Sequence, residues 1–211
     1  MTILNRRNLI LGCAAVAVVG PGRPGSAAQR LLTPAATEGP FYPDRLPLHT
    51  DNDLVAIAPG GQQAEGEVFH LSGRLTDAAG APKPGFRIEI WQCDANGIYQ
   101  HSGDSGRGTF DPNFQGFGFT TSSPAGAYRF RTITPVSYPG RTPHIHFKVK
   151  APNRREFTSQ LYLEGNPRNN GDFLFNRIGS AAAQKAASVR QVSAPEFEGG
   201  AVKGTFDIVL R

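Results

Sequence analysis

Hydrophobic and polar residues alternate in several short segments of this chain, a period that is typical of half-buried β-strands. Glycine and proline, of which the sequence has 25 and 17, mark turns between these segments. The predicted strands are Val68–Thr76, Phe86–Trp91, Tyr128–Ile133, His144–Val149, Phe157–Leu163 and Thr205–Leu210. Short strands separated by frequent turns predict an all-β domain, an antiparallel β-sandwich.

Three other segments complete the predicted architecture. Ser180–Gln191 is alanine-rich and begins with a good N-cap residue, which predicts one short C-terminal helix. Residues 101–118 form a long loop rich in Gly, Ser and Asp, a kind of loop that often covers a site. Residues 29–67 contain prolines and a polar, Gly-rich stretch, and they predict a long N-terminal arm and loop. The β-sandwich domain is then expected at residues 68–211.

The first 28 residues have the organisation of an export signal. Arg6 and Arg7 precede the apolar run Leu11–Val19, and Ser26–Ala28 supplies a small-residue cleavage site. The arginine pair resembles a twin-arginine signal; an ordinary secretory signal with a chance arginine pair is the alternative. The apolar run is too short to span a bilayer. The sequence therefore predicts a periplasmic or extracellular protein without a stable membrane anchor after signal removal.

The net charge argues against nucleic acid as a partner, and the cysteine content argues against an internal disulfide. The net charge is +5, but three of the arginines lie in the predicted signal, which leaves +2 for the remainder. This small excess does not favour nucleic acid as a partner. Removal of Cys13 with the signal leaves Cys93 as the single cysteine, so no internal disulfide is expected. Cys93 is predicted to be a buried small residue.

Candidate chemistry concentrates in residues 138–147, which contain a phenol, a guanidinium and two imidazoles. If a strand begins at His144, its alternation places His144 and His146 on one face, with Cα atoms about 6.6 Å apart. Ile145, Phe147 and Val149 then face the core. Two prolines and a glycine between Tyr138 and His144 favour a turn that folds the phenol back toward the imidazoles. This arrangement predicts a mononuclear metal site with nitrogen and oxygen ligands.

A His-x-His pair alone is as often a hydrogen-bonded surface pair as a ligand pair. A zinc hydrolase or a cupin needs a third histidine or a nearby carboxylate, and the nearest glutamate, Glu156, lies beyond a turn. Tyrosines are available instead, because Tyr99 and Tyr138 each follow a turn. The other three tyrosines, Tyr42, Tyr128 and Tyr162, are expected to be structural residues with hydrogen-bonded hydroxyls. Phenolate and imidazole ligands together favour ferric iron over zinc or copper.

For several residues, sequence spacing does not decide between a structural and a functional role. Arg141 is either a surface charge or a group that faces the pocket, and Gln160 is either a strand-pairing amide or a pocket donor. Pro40 and Phe41 lie in a proline-bounded aromatic segment that forms either a surface clasp or a pocket wall, and spacing favours the clasp.

Four sequence motifs resemble the intradiol ring-cleavage dioxygenases, the group of protocatechuate 3,4-dioxygenase and catechol 1,2-dioxygenase. The motifs are Leu71–Leu75 with Gly80, Ile88–Gln92 and Gly97–Tyr99; Tyr138-Pro139 with Arg141–Phe147; Gln160–Gly165; and Thr37–Tyr42. The resemblance implies one Fe(III) per active site, held at the matching positions by Tyr99, Tyr138, His144 and His146. It also implies that Arg141 and Gln160 face the substrate, and that Pro40 and Phe41 in the N-terminal arm line the pocket.

The same resemblance implies an activity. The enzymes cleave a catechol-type ring between its two hydroxyl-bearing carbons with O2 and give a cis,cis-muconate-type dicarboxylate. The implied catalytic residues are Arg141, Gln160 and Tyr138, the partners are a small aromatic diol and O2, and a homo-oligomer is possible. Gly140 stands where protocatechuate enzymes carry a tryptophan, and Lys83 stands where an aliphatic residue is usual. The first difference bears on the identity of the substrate more than on the chemistry.

Two other classes of function compete with this expectation. One is a secreted, non-catalytic, transthyretin-like β-sandwich module, in which Tyr99, Trp91 and Phe41 form a stacking platform for a ligand. The other is a zinc or copper site, which the ligand types disfavour.

Overall fold

The structure, a computed structural model, describes residues 30–211 except Leu48, Pro59 and residues 105–107. The predicted export signal, residues 1–28, lies outside the described residues. In the part of the chain that is described, no helix is long and apolar enough to cross a membrane.

The strands of the described chain form two sheets of five that pack face to face around one apolar core. They are β1 Val68–Asp77, β2 Arg87–Trp91, β3 Phe117–Thr121, β4 Ala127–Ile133, β5 His144–Lys150, β6 Phe157–Leu163, β7 Ser188–Val189, β8 Val192–Ser193, β9 Val202–Thr205 and β10 Ile208–Leu210. The first sheet contains β1, β4, β8, β9 and β10, and the second has the order β3-β2-β5-β6-β7. The predicted β-sandwich is confirmed.

The sheets are mixed rather than wholly antiparallel, which corrects one part of the prediction. The long strands pair antiparallel, as in β1 with β4 and β5 with β6. The short C-terminal strands β9 and β10 instead run parallel to β1, and β7 runs parallel to β6. Only two residues separate β9 from β10, so β10 continues along β1 in the direction that β9 already has.

The described chain has three short helical segments where the sequence predicted a single helix. The helix that begins after Ser180 is α2, Ala181–Ala186, and the Ser180 side chain accepts a hydrogen bond from Ala183 N. It ends before the predicted Gln191 because Ser188 and Val189 pair with the end of β6. A 3-10 helix at Pro167–Gly171 and a short helix α1 at Phe173–Asn176 were not predicted.

The strand β5 shows why alternation predicted the correct faces. Ile145, Phe147 and Val149 belong to the core between the sheets. His144, His146 and Lys148 point to the other side, yet they are also buried, because the N-terminal arm covers that face. The arm is fixed along its length by hydrogen bonds from Thr33 N to Val209 O, from Ala36 N to Thr158 O, and from Gln160 Nε2 to Thr37 O.

One polar contact joins the two sheets inside the sandwich. Gln92 follows β2 and is fully buried. Its Oε1 accepts from Thr132 Oγ1 of β4 at 2.9 Å, and its Nε2 donates to Ile133 O at 3.2 Å. Both polar ends of this amide are therefore satisfied by the opposite sheet, as a buried polar group requires.

Candidate metal centre

The two histidines of β5 present their ring nitrogens to each other. His144 Nε2 and His146 Nε2 lie 3.1 Å apart, and both residues are almost fully buried. His144 Nδ1 lies 2.7 Å from Thr142 O. Because a carbonyl oxygen only accepts, Nδ1 carries the proton and the lone pair lies on Nε2. This second contact orients the ring as metal-binding histidines are commonly oriented.

Both imidazoles are neutral at ordinary pH. Burial lowers the pKa of His144 to about 4, and the nearby Arg141 cation acts in the same direction. Burial also holds the pKa of His146 well below its usual value, followed in effect by its neighbours His144 and Arg141. Neutral imidazoles are the form that binds metal, so no proton has to be removed first.

A tight turn after β2 places Tyr99. The buried Asp94 carboxylate accepts from Asn96 N and Ile98 N, each at 2.9 Å, and Gly97 adopts a left-handed φ of 79°. Tyr99 N donates to Asp104 Oδ2 at 2.7 Å. A Cβ on residue 97 would lie 3.5 Å from Tyr138 Cβ, so the glycine also allows this turn to approach the loop that carries the second phenol.

The Tyr99 hydroxyl differs from the other buried phenols. It is buried and makes no hydrogen bond of standard geometry, although Tyr138 lies close enough to influence its pKa. The three tyrosines that were predicted to be structural all have a partner: Tyr128 donates to Phe206 O, Tyr162 to Gln160 Oε1 and Tyr42 to Glu89 Oε2. Burial, followed by the Tyr138 phenol, raises the pKa of Tyr99 well above its usual value. An unpaired buried hydroxyl is costly, and a bound cation would give it a partner.

Tyr138 lies opposite, on the loop before β5. Its ring centroid is 5.6 Å from that of Tyr99 and 5.5 Å from that of His144. The Tyr99 and His146 centroids are 6.2 Å apart. Burial raises the pKa of Tyr138, while the Arg141 cation opposes that rise. The structure therefore brings together all four residues that the sequence suggested as metal ligands.

Arg141 connects this cluster to its surroundings. Its Nε donates to Asp172 Oδ2 at 2.8 Å, and its Nη2 donates to Gln160 Oε1 at 2.6 Å. Its Nη1 lies 3.2 Å from His144 Nε2 and 3.5 Å from Tyr138 Oη. Arg141 thus faces the cluster, whereas Gln160 contacts Arg141 through Oε1 and donates from Nε2 to Thr37 O of the N-terminal arm.

Sequence reasoning missed two residues that shape this region. Asp172 is the N-cap of α1, and its carboxylate also accepts from Thr142 N at 2.8 Å. An acidic residue before a short helix was the only available signal, and it did not point to a partner 31 residues away. Trp91 stacks on the His146 ring with centroids 5.0 Å apart and an interplanar angle of 13°.

Of the two residues suggested as pocket lining, one contacts the cluster and the other is exposed to solvent. Phe41 stacks on Tyr99 with centroids 4.6 Å apart, so it lies against the cluster rather than forming a surface clasp. Pro40 is exposed. A cavity of about 570 Å³ opens beside the cluster; it is lined by residues 137–142 together with Pro167, Arg168, Gly171 and Asp172.

The donor set fits a hard cation. In the described part of the chain, no three His, Cys, Asp or Glu side chains converge to hold a metal ion, so a site here depends on the phenols. Two imidazole nitrogens and two phenol oxygens are available, and the buried Tyr99 hydroxyl makes no hydrogen bond of standard geometry. Anionic oxygen donors favour ferric iron.

The chain is similar to several known proteins. A family model described as Dioxygenase matches residues 37–211. The beta chain of protocatechuate 3,4-dioxygenase from Burkholderia cepacia is 35% identical over 169 residues, 76% of this chain and 72% of that protein. Hydroxyquinol 1,2-dioxygenase from Corynebacterium glutamicum is 33% identical over 164 residues, and the match covers 68% of this chain but 50% of that protein.

A solved structure is also similar. It is the dioxygenase domain of a dioxygenase and carbohydrate-binding protein fusion from Streptomyces sp. SirexAA-E, with 33% identity and a TM-score of 0.66. The similarity covers 85% of this chain and 97% of that domain. The chain therefore belongs to the intradiol dioxygenase family.

Proposed function

We propose that the protein is an Fe(III)-dependent intradiol dioxygenase that acts on a small aromatic 1,2-diol. The observation that carries this proposal is the convergence of two neighbouring phenols, Tyr99 and Tyr138, with two neutral imidazoles whose Nε2 atoms lie 3.1 Å apart. Tyr99, Tyr138, His144 and His146 would hold one ferric ion. When bound, the ion would supply a Lewis acid that binds both diol oxygens and activates the ring toward dioxygen.

The reaction breaks the bond between the two hydroxyl-bearing carbons and adds both atoms of one O2 molecule. A catechol gives a cis,cis-muconate-type dicarboxylic acid, so no further reductant or oxidant is needed. The named substrates of the relatives, protocatechuate and hydroxyquinol, differ from each other, which supports the substrate class rather than one compound.

The two phenols have different roles in this proposal. Tyr99 is 4% exposed and stacked against Phe41, so it stays in place. Tyr138 is less buried and lines the cavity of about 570 Å³. Its raised pKa favours the protonated phenol beside the cavity. Tyr138 would therefore be the residue that accepts and holds one of the two diol protons.

Arg141 stabilises the negative charge that develops on the diol ring. It lies beside His144 and Tyr138, and the Asp172 ion pair fixes its direction. One well-placed donor of this kind is worth about 3 kcal/mol in transition-state stabilisation. Gln160 acts mainly through Arg141, because its Oε1 accepts from Arg141 Nη2 and its Nε2 already donates to Thr37 O.

Gly140 bears on the choice of substrate. It has a left-handed φ of 84°, and no atom lies within 4 Å of the position that a Cβ would occupy. Gly140 is exposed and is one of the residues that line the cavity beside Tyr138. A substituent on the diol ring is therefore accommodated on this side.

The same proposal includes export by the twin-arginine route, because the sequence of residues 1–28 favours it. That route carries folded proteins, so the metal is inserted before export. Cys93 is buried, and no disulfide partner is needed for this fold. A binding module is disfavoured, because Trp91 and Tyr99 are buried against other rings and do not form an exposed platform.

Reconstitution with iron tests the proposed function. Purified protein loaded with Fe(III) is expected to bind one iron per chain and to become wine-coloured from phenolate-to-iron charge transfer. Oxygen uptake is then measured with catechol, protocatechuate and hydroxyquinol, and one O2 should be consumed per diol cleaved. A colourless iron-treated protein, or the absence of uptake with all three diols, would contradict the proposal. Zinc-loaded protein is the matched control and should be colourless and inactive.

A further inference from the structure

A buried lysine follows the two histidines on the same face of β5. The Lys148 side chain is 7% exposed, and its ammonium forms an ion pair with Glu38 of the N-terminal arm. It also lies 3.9 Å from the centroid of the Tyr42 ring and 3.6 Å from a carboxylate oxygen of Glu156. A buried ammonium is costly unless it is paired, and cation–π contacts strengthen when they are shielded from water. Both Glu38 and Tyr42 belong to residues 37–42, hereafter the arm segment.

A buried carboxylate on the neighbouring strand fixes the same segment. Glu89 of β2 is 2% exposed and pairs in register with Lys148. It accepts from Tyr42 Oη at 2.9 Å and from Arg87 Nε at 2.7 Å, and Lys150 Nζ lies 3.1 Å away. Burial acts to raise the pKa of Glu89, but these three donors outweigh it and the pKa is lowered. The sheet therefore binds the arm segment through one buried cation, Lys148, and one buried anion, Glu89.

The other side of the arm segment touches the candidate metal ligands. Phe41 stacks on Tyr99. Gly39 has a left-handed φ of 73°, and a Cβ there would lie 3.4 Å from His146 Cε1. Tyr42 packs edge-on against Trp91, which in turn stacks on His146.

These contacts define a rigid connection. Pro40 stiffens the backbone between Glu38 and Tyr42, so fixing both residues also fixes Phe41. We propose that Lys148 and Glu89 are positioning residues of the substrate site, which act through Glu38 and Tyr42 to hold the arm segment as one wall of that site. This inference rests on the proposed function, since it assigns the wall to the diol-binding site.

The test replaces Lys148 by methionine, which has nearly the same length and no charge, in the full iron-loaded protein. Amide hydrogen exchange of the arm segment is expected to become about tenfold faster, while exchange in β5 and β6 stays unchanged. With the best diol of the panel, KM is expected to rise about tenfold with kcat within about threefold, because the wall contributes to substrate binding more than to the chemical step. Iron content and the charge-transfer band should stay as in the unchanged protein.

Three further variants make the test specific. Lys148→Arg keeps the cation and should restore most of the exchange protection and the KM. Tyr42→Phe keeps the ring and removes the hydroxyl donor to Glu89, so it should show a smaller change in the same direction. Lys203→Met removes an exposed pair with Glu196 at 2.5 Å and should change neither exchange in the arm segment nor KM.

Two results would overturn the inference. One is unchanged exchange of the arm segment in Lys148→Met; the other is faster exchange with an unchanged KM. If Lys148→Met does not fold, Tyr42→Phe decides the question by the same two measurements. If the unchanged protein cleaves no diol, the proposed function fails and the positioning inference fails with it, whereas a failure confined to the variants leaves the proposed function intact.

Discussion

At residue 99 a phenol is buried where its hydroxyl has no hydrogen-bond partner of standard geometry. This environment costs stability in the metal-free fold, because the hydroxyl loses its contacts with water and has only the neighbouring Tyr138 phenol to interact with. Phenylalanine would fit the same stacking contact with Phe41 without that cost. The proposed metal site accounts for the hydroxyl at this position, whereas the packing of the ring does not.

Tyr99→Phe should separate the effect of the Tyr99 hydroxyl on iron binding from its effect on folding stability. We expect the variant to lose most of its iron and its charge-transfer band, since one anionic donor is missing. The metal-free variant should unfold with a free energy equal to or about 1 kcal/mol higher than that of the unchanged protein. Iron content, the visible spectrum and denaturant unfolding of the metal-free proteins measure both effects.

Tyr128→Phe is the matched control. Its hydroxyl is equally buried but donates to Phe206 O at 2.5 Å, so the change should lower the free energy of unfolding by about 1 kcal/mol and leave iron binding intact. Full iron binding and colour in Tyr99→Phe would contradict the assignment of Tyr99 as a ligand.

At the same scale, the sequence predicted side-chain faces better than side-chain partners. Alternation placed His144 and His146 on one face because strand geometry is local. The direction of Arg141 was undecided because it depends on Asp172 and Gln160, which are distant in sequence. Spacing alone favoured a clasp for Phe41 because nothing local indicates that Tyr99 lies beneath it, whereas the family resemblance implied the pocket.

Among the secondary-structure elements, the loop before β5 and helix α1 act as one unit. Asp172 accepts from Phe175 N through Oδ1, and from Arg141 Nε and Thr142 N through Oδ2. The same carboxylate therefore caps the helix and holds the loop that carries Tyr138. Burial acts to raise its pKa, but these donors outweigh burial and lower the pKa.

Asp172→Asn tests this coupling. Asparagine can still cap α1 through its oxygen, but its amide nitrogen would face the two donors of the loop. We expect a loss of about 2–3 kcal/mol in the free energy of unfolding, because Arg141 loses its carboxylate partner. The kcat should fall about 100-fold, because Arg141 is no longer held in place. Denaturant unfolding and steady-state kinetics measure the two effects.

Asp207→Asn provides the comparison, since its pair with Arg30 is about half exposed. It should cost less than about 1 kcal/mol and leave kcat unchanged. Equal effects of the two substitutions would show that Asp172 acts only as an ordinary ion-pair residue.

The secondary-structure prediction was wrong where an element is very short or where pairing with a distant strand outweighs the local sequence pattern. No strand was predicted at Phe117–Thr121, whose first two residues were placed in the loop 101–118, yet this segment pairs with β2. The two-residue strands β7 and β8 are too short to show any period. The predicted helix from Ser180 was cut short by pairing with β6, a contact that helix propensity does not encode.

For the molecule as a whole, the buried imidazoles link stability to pH. The pKa of His144 is about 4 in the fold and 6.5 in the unfolded chain, so the unfolded chain binds a proton more readily. The His144 contribution to stability is therefore present above 6.5 and is lost as the pH falls toward 4. We expect the metal-free protein to lose about 3 kcal/mol over this range from His144 alone.

Denaturant unfolding of the metal-free protein near pH 7 and near pH 4.5 measures this loss. His144→Gln should show a shallower dependence over the same range, because the titrating group is gone. A free energy of unfolding that does not change between the two conditions would contradict the assignment of a buried, neutral His144.

The buried Gln92 amide has a consequence for the spacing of the two phenols. Apolar contacts between the sheets have no preferred partner atoms, whereas Gln92 satisfies both ends of its amide only when it faces Thr132 and Ile133. Gln92 begins the connection that leads to Tyr99, and Ile133 begins the one that leads to Tyr138. By fixing the end of β2 against the end of β4, the Gln92 amide constrains where the two connections start. It therefore constrains the distance between the hydroxyl oxygens of Tyr99 and Tyr138.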